Sequence, residues 1–415
     1  MTRPATGPSD GTEDADATAY RWLLVVALAV MVNVGYGTIF YSFSVLLSEG
    51  AAASEFSRAI LSASLGLGVV VSGAVAPLVG TICDLRGPRW VFLAGAVLGC
   101  LGLAAFSRTT EGWQVVVVWT LLLGPAMACT FYEPAYVAID QWFGERQGKP
   151  LGLLTVVAGL SVTVFVPLSQ WLLGLLGWRG ATLALSLILL AAVGSLSLLV
   201  VRDRPQPPRE ESSAQRFNLK SIYAEMLGSF HHTDRTFWLV TAAFFLGLSA
   251  TFAMLFHQVA YLQDLGFSPA GVATAVGLAG LASLPARFVL PALGDRTSPA
   301  LLVTVVFATL AASALVIFEA SEWWRVYLYA ALFGAAFGSV LPMRAVVMSR
   351  HFGGALYGRL MGVQYAMLAV AIAGGPALAG LLRDLTGTYA APWLGAAAAF
   401  VLAMPPILAL KQGAE

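Results

Sequence analysis

The segment QWFGERQGKPLGLL at residues 141–154 returns in altered form as RHFGGALYGRLMGV at residues 350–363. Each copy ends one long apolar run and opens the next. A second pair stands upstream: GTICDLRGPR at 80–89 has a weaker counterpart, PALGDRTS, at 291–298. Such echoes mean a duplicated chain with two related halves. In a membrane protein, repeats of this kind put a substrate site between the halves, near the middle of the bilayer.

The bulk composition places the chain in a membrane. Of 415 residues, 58% are hydrophobic and only 11% charged, against about 25% charged in soluble domains. Apolar runs of about 18 or more residues recur between Arg21 and Leu410, about twelve in all. Each must be helical, because lipid offers a backbone no outside hydrogen-bond partner. The expected spans are 21–48, 56–82, 90–107, 113–139, 149–173 and 179–201, then 236–263, 269–292, 299–318, 323–349, 358–382 and 389–410.

The domain plan follows. Residues 1–20, polar and acidic (Ser9, Asp10, Glu13, Asp14, Asp16), are expected as a disordered cytoplasmic tail without the features of a signal peptide. Residues 21–201 form the first six-helix bundle and 236–411 the second. Between them, 202–235 read as a flexible cytoplasmic linker, rich in proline and charge. Arg86, Arg89, Arg146, Lys149, Arg296, Arg350, Arg359, the linker cluster and Lys411 share one side of the membrane. The other side has only Arg58, Arg108, Arg179, Arg325 and Arg383. The richer side is expected to be cytoplasmic, with both termini on it.

Several function classes drop out. A net charge of +1 without a dense basic patch gives no footprint for nucleic acid. Cys83, Cys100 and Cys129 form no CxxC and have no histidine at ligand spacing, so neither a disulfide framework nor a metal site is expected. No GxxxxGK[ST] loop is present for ATP-driven work. The spans hold no clustered catalytic constellation, and no cofactor is expected. The linker and tails are too short for a sensor's soluble domain.

The informative residues are charges inside apolar runs. Arg287 lies in the run from Ala270 to Leu293. An arginine at mid-helix costs about 2.5–3.5 kcal/mol on insertion scales. Its planar fork suits a carboxylate, although such a charge also serves to join helices or snorkels to a surface. Glu133 and Arg344 stand about ten residues before the matching Phe-Gly turns at Phe143 and Phe352, so they are expected at similar depth. They read as a reversible salt bridge closing the cytoplasmic side, or as a permanent tie. Glu133 is also a candidate proton carrier, because desolvation raises and a nearby arginine lowers a carboxyl pKa. His257 lies inside a span and has the pKa range for proton coupling, or simply bonds a neighbouring helix. Tyr36, Tyr41, Tyr132, Tyr136, Gln364 and Tyr365 are candidate cavity residues, offering rings to an alkyl chain and hydroxyls to a carboxylate.

Gly80-x-x-x-Asp84-x-x-Gly87-x-Arg89 resembles the loop between the second and third helices of the major facilitator superfamily. That resemblance implies an all-α membrane protein of twelve transmembrane helices in two pseudo-symmetric six-helix bundles. It gives Asp84 and Arg86 or Arg89 a role in locking one access state, since Leu85 stands where the family has arginine. Within the superfamily the chain is similar to the monocarboxylate transporters and the oxalate/formate antiporters. The marks are Trp142-Phe143-x-x-Arg146-Gln147 with Gly152, His257-x-x-x-Tyr261-Leu262-x-Asp264-x-Gly266-Phe267-Ser268, and Arg287 eight residues before Gly294-Asp295-Arg296. The first resembles the start of helix 5, the second the helix 7 exit of bacterial members, and the third the substrate arginine of helix 8.

Three positions depart from the family. Ser283 replaces the aspartate that precedes the arginine in the animal transporters, no lysine stands in 21–48, and none in 358–382. The first two separate proton coupling here from the animal scheme, and the third argues against a dianion. The expected function is a monomeric secondary transporter of a small carboxylate anion together with a proton, by alternating access, in a bacterial plasma membrane. Substrate contacts are expected from Arg287, Tyr36, Tyr132, His257, Gln364 and Tyr365, and coupling or gating from Glu133, Arg344, Asp84, Arg89 and His257. The alternatives are an organic-anion exchanger and an exporter of hydrophobic compounds.

Overall fold

Ser268-Pro269 and Ser298-Pro299 each open a helix. The serine hydroxyl accepts from the amide of Gly271 or Leu301, and proline fills the first helical position, where no N–H is needed. Stops are as legible: Gly87 has φ 82° ahead of Pro88, and Gly387 closes its helix in the left-handed conformation. The computed structural model of the chain describes residues 10–46, 52, 55–144, 146–202 and 234–410.

Eleven helical segments among these residues are long and apolar enough to cross a membrane. The longest, Gly148–Leu199, contains two passes, because Gly177 breaks it with φ 66° and ψ 173°, a conformation left almost entirely to glycine. The result is twelve crossings. The first six are α1 (Asp10–Gly35, extended through Tyr36–Tyr41 and Ser42–Leu46), α2 (Arg58–Arg86), α3 (Pro88–Phe106), α4 (Gly112–Phe143), α5 (148–176) and α6 (178–199). The second six are α7 (Arg235–Asp264), α8 (Pro269–Gly294), α9 (Pro299–Ile317), α10 (Trp323–Phe352), α11 (Tyr357–Thr386) and α12 (Ala390–Leu408).

Helix α1 begins at Asp10, within the stretch 1–20 read as a tail. Residues 1–9, most of the linker (203–233) and 411–415 lie outside the described residues.

Each six-helix half has its own core. Phe92, Phe106 and Trp119 are fully enclosed in the first, and Phe237, Phe244, Phe307 and Trp393 in the second. Exposed residues along the helices are large and apolar, such as Leu101, Leu121, Leu187, Leu301 and Leu402, as a lipid-facing surface requires. The halves meet along two main seams, α2 on α11 and α5 on α8. Glycines make both possible. A Cβ on Gly80 would lie 1.9 Å from the Gly358 carbonyl oxygen, and one on Gly148 would lie 2.0 Å from that of Pro291.

Candidate functional site

A cavity of about 330 Å³ lies between the halves, with residues from α1, α2, α4, α5, α7, α8, α10 and α11 around it. Local backbone irregularity places its first wall. α1 loosens into a wide π turn over Tyr36–Tyr41, and α4 is interrupted at Phe131 (φ −84°, ψ −158°), restarting at Tyr132 with Glu133 in its first turn. Such interruptions reorient side chains that a regular helix would hold in register. Tyr36 stacks on Phe131 with ring centroids 3.8 Å apart, and Tyr132 stacks on Tyr136 at 5.4 Å.

The opposite wall carries the charge. Arg287 projects from α8 between Pro285 and Pro291 and lines the cavity. Its guanidinium stands 5.7 Å from the centre of the Phe337 ring, and Tyr132 lines the same cavity. Its Nε is buried and has no hydrogen-bond partner among the described residues. Pro291 has no N–H for the Arg287 carbonyl four residues back. The Thr155 hydroxyl on α5, 2.9 Å from the Leu151 carbonyl oxygen, also comes within 3.3 Å of that carbonyl. Gly159 gives the arginine side chain room, since a Cβ there would come within 3.0 Å of Nε.

Beneath the cavity, Arg344 on α10 donates to Glu133 on α4 at 2.5 Å, joining the two halves in a buried ion pair. The pair leaves capacity over. Glu133 Oε2 and Arg344 Nε and Nη1 have no partner among the described residues, and Glu133 also lines the cavity. Arg344 lies 6.0 Å from the ring centre of Tyr365, another lining residue.

Three more carboxylates join the halves farther toward the linker side. Asp84 accepts from the amides of Gly358 (2.9 Å) and Arg359 (2.8 Å) at the start of α11. Asp295, its counterpart in the repeat, accepts from the amide of Gly148 at the start of α5, at 2.8 Å. Both exploit the free N–H groups and positive end of a helix. Asp140 accepts from the Ser349 hydroxyl and, at 3.1 Å, from the Gly354 amide. Close glycine approaches between the halves likewise stop at the level of Gly73 with Ala369 and Gly159 with Arg287. Among the described residues, the polar ties and tight seams thus lie at or below the cavity on the linker side, which is the closed side.

The expected site residues divide accordingly. Arg287, Tyr36, Tyr132, Tyr365 and Glu133 come together around the cavity, with Arg344 directly behind Glu133. Two expected substrate residues do not reach it. His257 is turned into its own half, 3.2 Å from the Tyr389 hydroxyl and 3.0 Å from the Pro376 carbonyl oxygen. Gln364 is buried and donates to the Thr241 hydroxyl at 3.3 Å. Arg89 donates to the Leu198 carbonyl at 2.9 Å, tying α3 to α6, while Asp84 is held by backbone amides. Sequence reasoning did not find the phenylalanines of the cavity (Phe40, Phe131, Phe252, Phe256, Phe337) or the contacts of Asp140 and Asp295. The repeat, which aligns Asp295 with Asp84, was the available signal for the last.

Comparison with known proteins agrees with this architecture. A family profile described as Major Facilitator Superfamily matches residues 25–323. Monocarboxylate transporter 13 of Rattus norvegicus is 29% identical over 406 residues, covering 97% of this chain and 90% of the relative. Monocarboxylate transporter 11 of Homo sapiens is 28% identical over 413 residues, covering 95% and 82%. Among solved structures, the major facilitator transporter FucP in its outward conformation superimposes with a TM-score of 0.71 at 15% identity, covering 94% of this chain and 98% of that one. The human organic anion transporter TETRAN gives 0.70 at 17% identity, covering 93% and 99%.

Proposed function

The chain belongs to the major facilitator superfamily, and we propose that it carries a small monocarboxylate together with a proton by alternating access. It is a multi-pass membrane transporter and not an enzyme. The observation that carries the substrate reading is Arg287, the one basic side chain among the cavity-lining residues described, with an unpartnered Nε. A single fixed cation in a largely apolar chamber suits one carboxylate on an apolar body, and the planar guanidinium can hold it with two parallel hydrogen bonds. The names of the relatives support the same class.

The mechanism follows from the layers. With the linker side closed, an acid enters from the opposite face and its carboxylate docks on Arg287 beside the Tyr132 hydroxyl. Glu133, ionised, holds Arg344 and keeps α4 against α10. Protonation of Glu133, which lines the cavity, removes the attraction, and the linker-side ties then part as the halves rock. Proton and anion leave together. The physical reason for symport is charge: moving an anion inward against a negative interior costs about 2.3 kcal/mol per 100 mV, and a co-transported proton cancels it.

The charge asymmetry of the loops supports a cytoplasmic linker side with both termini on it, and hence an outward-facing chamber. The chamber lies within one chain, so a monomer suffices.

Uptake of labelled monocarboxylates into proteoliposomes under an imposed pH gradient, acid outside, tests this reading. The gradient should drive accumulation in the parent protein. Glu133→Gln should lose that response while still exchanging substrate across the membrane. Accumulation that ignores the gradient and needs substrate on the far side would favour an exchanger.

A further inference from the structure

We propose that the acid carried here bears a planar ring joined closely to its carboxylate, an aryl or heteroaryl monocarboxylate rather than a three-carbon hydroxy or keto acid. This rests on the reading of Arg287 as the carboxylate site. Ten of the 21 residues lining the cavity are Phe or Tyr, whereas aromatic residues make up 11% of the chain.

The arrangement of the rings is as informative as their number. On one wall, Tyr36 and Phe131 stack face to face, 15° from parallel. Each stands at a backbone irregularity: Tyr36 opens the π turn of α1, and Phe131 is the break in α4. Two helices therefore depart from regular geometry where this ring pair lines the chamber. On the other wall, Phe252 and Phe256 of α7 stack on each other, and Phe337 lies under the Arg287 guanidinium. Tyr41 and Tyr132 line the chamber together with Arg287 and offer hydroxyls to the carboxylate, which leaves the phenylalanines for the remainder of the ligand.

A flat ligand ring between such walls continues their stacking, which a short polar acid cannot do. Because Phe337 adjoins the guanidinium, aromatic surface begins close to the carboxylate site, which suits a ring a bond or two from the carboxylate. Volume agrees. At about 330 Å³ the chamber enters the range of about 300–1,000 Å³ typical of small-molecule pockets. A three-carbon acid would leave most of it to water against apolar rings.

Equilibrium binding of radiolabelled phenylacetate and lactate to the purified full-length chain in lipid nanodiscs tests the inference, with benzyl alcohol as a competitor lacking the carboxylate. Phenylacetate should bind at least about tenfold more tightly than lactate, and benzyl alcohol should compete weakly. Tyr36→Leu should erase most of that ratio and Tyr36→Phe should keep it, because only the ring face is used. Lactate binding as tightly as phenylacetate overturns this inference and leaves the carboxylate reading standing. Benzyl alcohol competing as well as phenylacetate, or neither acid binding, overturns both.

Discussion

The two halves of this molecule share a plan and differ where it counts. The second half is regular: its helices α7 to α12 run unbroken, four of them for 26 to 30 residues. The first half is irregular, with π turns at Tyr36–Tyr41, Trp119–Leu123 and Leu190–Gly194 and a break at Phe131. The irregular half supplies most of the cavity's tyrosines, while the regular half supplies Arg287 and Arg344. Toward the linker the symmetry returns, as Asp84 caps α11 and Asp295 caps α5. The duplication is thus kept at the linker-side ties and abandoned around the cavity, with Ala76 at the repeat position that matches Arg287.

That contrast can be broken at several depths. The largest effect is expected at the buried pair that joins the halves. Arg344→Met alone should destabilise the fold by about 3–5 kcal/mol, because it strands Glu133 without its partner. Adding Glu133→Leu should recover most of the loss. Denaturant titration of detergent-solubilised protein reads both, and a single variant as stable as the parent would show that the pair ties nothing.

Next come the two aspartate caps. Asp84→Ala and Asp295→Ala should each weaken the closed linker side by about 0.5–2 kcal/mol, a factor of about 2–30 in the ratio of the two access states. Spin labels on the linker-side ends of α2 and α11 would report the shift as a population of longer distances. Similar shifts for both variants sharpen the symmetry, whereas a response from only one of them breaks it. Smallest is Thr155→Val, which removes the hydroxyl that lies between the Leu151 and Arg287 carbonyl oxygens. It should lower stability by about 1 kcal/mol, seen as a modest fall in melting temperature with the carboxylate still bound.

Much of this was legible in the sequence, for physical reasons that also mark the limit. The twelve crossings stood out because lipid demands long apolar helices, and the turn at Gly177 was already expected between 173 and 179. Arg287, Glu133 and Arg344 stood out because a charge in an apolar run is expensive. Side-chain direction was less accessible. His257 and Gln364 sit at plausible depth, but helical periodicity does not say which face meets the other half, and both turn into their own bundle. The caps were half visible, since Asp84 and Asp295 match in the repeat while their partners are backbone amides, which leave no residue type to find. The cavity phenylalanines had no contrast at all in runs that are apolar throughout.

The central claim is that Arg287 holds the carboxylate of the transported acid. Proteoliposome uptake of a panel of labelled monocarboxylates by the parent and by Arg287→Gln, at matched protein incorporation, tests it most directly. Removing one partner of a buried charge pair costs about 2–5 kcal/mol, so the best substrate should lose at least about thirtyfold in apparent affinity or rate. Uptake by Arg287→Gln equal to that of the parent would contradict the account.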